Sequence, residues 1–186
     1  MEYLDSHSSP WSSRIPSTPF RMLIDISGFG FSFMVLIFVW LAYTSIRSVL
    51  PIEDSITVAL NVALLFLVSI EPYLFYLNIV FDLSAHEVLL NYASTLFALD
   101  MTGLMLILAL FTHQLNKEER GLLPKESLAS YTRIRNTLFT SAALFAITIL
   151  PLFWTLKLQN LPIRFYFWLI PLILSLVRRI SERFRE

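Results

Sequence analysis

"LNVALLFLVSIEPYLFYL", residues 60–77, is almost wholly apolar, yet it contains Glu71 followed by Pro72. A run of this length and greasiness suits a helix crossing a bilayer, which needs roughly 20 apolar residues. A carboxylate near the middle of such a helix costs a few kcal/mol, so it is protonated, paired or turned toward water. The rest of the chain agrees with a lipid solvent. Of 186 residues, 56% are hydrophobic and 15% charged, and the mean hydropathy is +0.66. A soluble domain keeps about a quarter of its residues charged. The apolar residues also come in long blocks instead of stripes.

Five blocks qualify as spans, about 22–46, 56–80, 88–112, 137–157 and 163–180, within a membrane domain over 22–180. Residues 1–21 form a polar Ser/Pro-rich tail with no apolar core of a cleavable signal, and 181–186 a short cytoplasmic C-terminal tail. Pro151 and Pro171 fall within the last two spans, where neighbouring helices can satisfy the freed carbonyls. The polar stretch 114–136 reads as a solvated connector, its Arg133 and Arg135 near headgroups. The predicted class is therefore an all-α integral membrane bundle of five helices.

Five spans put the termini on opposite sides, so the basic residues choose the direction. Arg14, Arg21, Lys157 and Arg164 fall on one side. Arg47, Lys117, Arg120, Lys125, Arg133, Arg135, Arg178, Arg179, Arg183 and Arg185 fall on the other. The larger group belongs in the cytoplasm, which predicts a multi-pass cell-membrane protein with the N-terminus outside and the C-terminus inside. Trp40, Tyr73, Tyr76, Trp154, Tyr166 and Trp168 lie near the span ends, where amphipathic rings favour the headgroup layer.

Asp100 is the second intramembrane acid. Counted inward from Val80 and Val88, Glu71 lies about 14 Å deep and Asp100 about 18 Å, on consecutive helices. Such a pair can share a proton, offer oxygen ligands to a cation, form a subunit-interface bond, or simply be hydrogen-bonded inside the bundle. Ser69, Tyr73 and Thr102 are the nearby candidate partners, and Pro72 marks a helix kink. Tyr43 and Asn61 fall near the same membrane surface and are placed to hydrogen-bond across helices, in a network with Ser69. Gly28 and Gly30, with Ser27 and Ser32, and Gly103 beside Asp100, offer close-packing faces. Asp25 sits at the mouth of the first span. With no cysteine, thiolate metal sites and cysteine nucleophiles are excluded. No nucleotide, zinc-protease or hydrolase motif occurs, so no enzyme activity, cofactor or metal is expected. Nothing suggests a nucleic-acid partner.

Three stretches resemble the filterless potassium channels of the transmembrane protein 175 family. "FMVLIFVWLAYTSIR" is similar to the second helix of the family's six-helix repeat, with Tyr43 where the family has histidine. "LNVALLFLVSIEPYLF" is similar to the third, through Asn61, Ser69 and Pro72, and "LFALDMTGLMLILAL" to the fourth, through Phe97 and Asp100. The resemblance implies that the five spans match helices two to six. The family's first, pore-lining helix with its Phe-Ser-Asp signature has no counterpart in this sequence. It also implies passive K+ or other cation permeation by a homo-oligomer surrounded by membrane lipids. The alternative is a non-conducting scaffold or accessory subunit that assembles with a complete channel or a missing fragment.

Overall fold

The computed structural model describes residues 19–48, 55–80, 87–116, 125–158, 161–171 and 173. Helix α1 runs Pro19–Arg47, α2 Ser55–Val80, α3 Glu87–Leu115 and α4 Lys125–Ile147. A single turn, α5 (Leu152–Thr155), leads into a two-residue ladder of β1 (Lys157–Leu158) and β2 (Leu161–Pro162), and residues 163–171 are helical. Proline is well placed at the opening of α1, since the first turn leaves its N–H groups unused. Arg47 in the last turn of α1 faces the negative end of the helix dipole.

Side-chain contacts fix the packing directions. Ser32 meets Glu71 and Tyr43 meets Asn61, so α1 and α2 are antiparallel. Phe75 meets Phe97 while Leu67 meets Gly103, so α2 and α3 are antiparallel too. Arg164 reaches Asn91 and Trp168 stacks near Phe97, which sets the last helical segment parallel to α3. The upper end below is the one where α2 finishes and α3 begins.

The central element is α3, which packs most extensively on α4, then on α2, and touches α1 as well. Its apolar window is 56% buried, against 22% for those of α1 and α2. Phe97, Met101, Leu104, Leu108 and Phe111 project from it into the core, where Val35, Val39, Leu64, Phe145 and Trp168 meet them. On α1 the opposite stripe, Phe29, Phe33, Ile37 and Trp40, is exposed. Leu65, Phe66 and Tyr73 continue the apolar exterior on α2. So much bare hydrocarbon is an aggregation hazard in water but ordinary surface in lipid.

Among the described residues three helices are long and apolar enough to cross a membrane: Phe29–Arg47, Ser55–Asn78 and Val88–Leu115. These coincide with the first three expected spans. The expected fourth, 137–157, is not one uninterrupted helix. Instead α4 starts at Lys125, inside the stretch read as a connector, because its inward stripe of Tyr131, Leu138, Ala142 and Phe145 runs across the polar–apolar boundary. It stops at Ile147, the residue whose carbonyl Pro151 cannot bond and whose turn the proline ring crowds. The fifth expected span is described only to residue 173, and the C-terminal tail 181–186 lies outside the described residues. Trp168, expected at the headgroup layer, is buried instead, its indole N–H donating to Thr148 Oγ1 at 3.1 Å.

Candidate functional site: a buried carboxylate pair

Glu71 and Asp100 are both buried, at 0% and 5% exposure, on the facing sides of α2 and α3. The α2–α3 contacts of Phe75 with Phe97 above and Leu67 with Gly103 below bracket the two acids along the seam. The partner of Glu71 comes from α1: Ser32 Oγ donates to its carboxylate at 3.0 Å to Oε2 and 3.3 Å to Oε1. Both oxygens of Asp100 are buried with no hydrogen-bond partner among the described residues. No basic side chain bonds either acid among those residues. A buried polar group left this way is uncommon and carries the full cost of its lost water.

The neighbours expected for this pair turn elsewhere. Ser69 is exposed and donates to the Phe66 carbonyl of its own helix at 2.7 Å, so it belongs neither to the acid site nor to the Tyr43–Asn61 contact. Thr102 donates to the Ala98 carbonyl at 2.7 Å, and Tyr73 faces outward. The cause is local: a Ser or Thr hydroxyl within a helix finds the carbonyl three or four residues back before any distant acid. Ser32, grouped by sequence with the small-residue face of α1, is the residue that reaches Glu71.

An aromatic layer lies one helical turn above the acids. Phe31 precedes Ser32, Phe75 follows Glu71 by four residues, and Phe97 precedes Asp100 by three. Their rings contact in sequence, Phe31 to Phe75 at 5.3 Å, Phe75 to Phe97 at 5.5 Å and Phe97 to Trp168 at 4.7 Å. The layer links α1, α2, α3 and the last helical segment and covers the pair from the upper end. Beside it lies a cavity of about 120 Å³ between α1, α3 and α4, lined by Val35, Val39, Met101, Met105, Leu108 and Leu138 among others. The hydroxyls of Thr137 and Ser141 on its wall donate to their own helix, so the space is hydrocarbon-like.

Tyr43 Oη donates to Asn61 Oδ1 at 3.0 Å, a second polar tie between α1 and α2 some three turns below the first. Pro72 lies inside α2, which stays helical through it, and frees the Val68 carbonyl. Of the two glycines whose surroundings are described, Gly103 is tightly opposed: a Cβ there would lie 2.8 Å from Leu67 Cδ1. Gly30 has nothing within 4 Å of that position, so it is not tightly opposed by any described residue of this chain. Gly28 lies on α1, but its surroundings, like the side chains of Asp25 and Ser27, are outside what the structure describes.

Sequence reasoning missed Arg164, which it placed in a loop. The side chain is completely buried, with Nη2 donating to Asn91 Oδ1 at 2.8 Å. The guanidinium carbon lies 5.7 Å from the Trp154 ring centre and 5.6 Å from that of Phe165. The flanking Pro162 and the apolar run after it hid this, since a lone arginine between a turn and a span reads as a surface anchor. No family model, curated protein or solved structure matches the chain.

Proposed function

We propose that this chain is a multi-pass membrane protein through which a monovalent cation passes, as a homo-oligomer, with Glu71 and Asp100 as the groups the ion meets within the bilayer. K+ is the cation that the likeness to the filterless channels implies. The orientation is N-terminus outside and C-terminus inside, and five spans in all. The observation that carries the reading is Asp100: a buried carboxylate with no hydrogen-bond partner among the described residues, on the helix packed against the one that carries a second buried acid. Such a group is expensive to keep inside a membrane and typically serves an ion or proton pathway. Ser32 holds Glu71 in place and leaves Asp100 free to exchange its partner.

The second reading is a non-conducting scaffold or accessory subunit. It draws support from the aromatic layer above the acids and the apolar cavity beside them, neither of which offers an ion a polar wall. Potassium flux into liposomes containing the purified full chain separates the two. Flux that Asp100→Asn and Glu71→Gln reduce at least tenfold supports permeation. A folded, reconstituted protein that carries no flux refutes it in favour of the scaffold.

A further inference from the structure

The buried arginine is a second site, independent of the acids. Arg164 has no exposed surface, and its only hydrogen bond among the described residues goes to a neutral amide, Asn91. Its Nε and Nη1 are buried without an acceptor. So is the indole Nε1 of Trp154, whose ring lies against the same guanidinium. All three orphaned atoms are donors. A buried guanidinium without a counter-charge is costly, and three unpaired donors side by side lack one kind of partner, an anionic acceptor.

Position narrows the anion. Asn91 lies three residues from Val88, where the apolar window of α3 begins, so Arg164 sits about 5 Å inside the upper edge of that span. This is the depth of the bilayer interface, where headgroup phosphates meet the acyl chains. Arginine is the side chain best suited to phosphate oxygens, and indole N–H adds a further donor. The two ring faces at 5.6 and 5.7 Å give the guanidinium favourable stacking that does not consume its N–H groups.

We propose that Arg164 and Trp154 form a binding site for a phosphate group at the upper membrane interface, with Asn91 orienting the guanidinium. The phosphate belongs to a lipid headgroup or is free in solution; the oxygens recognised are the same. Trp154 is half-buried on α5, a single turn between Pro151 and the β-hairpin.

The test uses the purified full chain in detergent micelles, following thermal unfolding against added phosphatidylglycerol, diacylglycerol with the same acyl chains, or sodium phosphate. Phosphatidylglycerol is expected to raise the midpoint in proportion to its concentration, and diacylglycerol to leave it unchanged. Sodium phosphate acting alike identifies free phosphate as sufficient; no effect from it identifies the lipid as the source. Arg164→Gln weakens the response more than tenfold. Where that variant does not fold, Trp154→Phe decides, because it keeps an aromatic face and removes the indole N–H; it weakens binding about tenfold. Equal stabilisation by phosphatidylglycerol and diacylglycerol, no response to either phosphate-bearing probe, or a response in Trp154→Phe equal to wild type overturns the site.

Discussion

Two glycines in the spans invite the same substitution and should answer it in opposite directions. Replacing a helical glycine by alanine contributes about 1 kcal/mol through backbone propensity. At Gly30 that gain stands alone, since no atom lies within 4 Å of the new Cβ; Gly30→Ala should stabilise the protein by about 0.5–1 kcal/mol. At Gly103 the methyl meets Leu67 Cδ1 at 2.8 Å. The obstacle is the far end of a flexible side chain, but Leu67 is itself packed against the core, so its rotation disturbs the α2–α3 seam. Overpacking of this kind costs about 1–3 kcal/mol, and against the propensity gain Gly103→Ala should lose about 1 kcal/mol. Unfolding in mixed micelles titrated with denaturing detergent reads both. Leu67→Ala combined with Gly103→Ala should recover the steric part, giving a coupling energy of about 2 kcal/mol in a double-mutant cycle. If Gly103→Ala proves as stable as Gly30→Ala, or if the cycle shows no coupling, the α2–α3 seam is not packed as described.

Two further substitutions follow from the polar contacts. Asp100→Leu removes a buried carboxylate with no partner among the described residues, so it should raise stability by about 1–3 kcal/mol in the same unfolding assay. The same variant should abolish any cation flux; lower stability would mean that Asp100 has a bonded partner after all. Tyr43→Phe breaks the tie to Asn61 and should cost about 0.6–1.7 kcal/mol, the range seen for hydrogen bonds between membrane helices, with flux unchanged.

Much of this architecture is legible in the residues alone, and the pattern of what is not has a common cause. Helices α1–α3 can be read because their apolar runs exceed the bilayer thickness, a one-dimensional property. The start of α4 cannot, because "KESLASYTRIRN" carries too many polar residues to register as a span, while the inward stripe that makes it helical shows only against α3. Glu71 and Asp100 announce themselves as charges in grease. Their surroundings do not: Ser32 is 39 residues from Glu71, and the serine and threonine nearest in sequence to the acids spend their hydroxyls on their own helices. Arg164 was hidden for the reverse reason, being a charge where charges are ordinary. Its burial depends on Trp154, Phe165 and Asn91, brought together from separate parts of the chain.

The Ser32–Glu71 bond also bears on the order in which the chain is made. Synthesis delivers α1 before α2, so the serine is already in the bilayer when the glutamate arrives. An acid entering hydrocarbon alone is the costliest event in building such a bundle, and here the emerging helix meets a hydroxyl at matching depth on the helix just released. Pro72, directly after Glu71, leaves the Val68 carbonyl without its usual donor in the same stretch. A two-helix unit of α1 and α2, pinned by Ser32 to Glu71 near mid-membrane and by Tyr43 to Asn61 near one face, can therefore mature before α3 is complete. Asp100 is released after all of these, on α3, and among the described residues it meets no such hydroxyl.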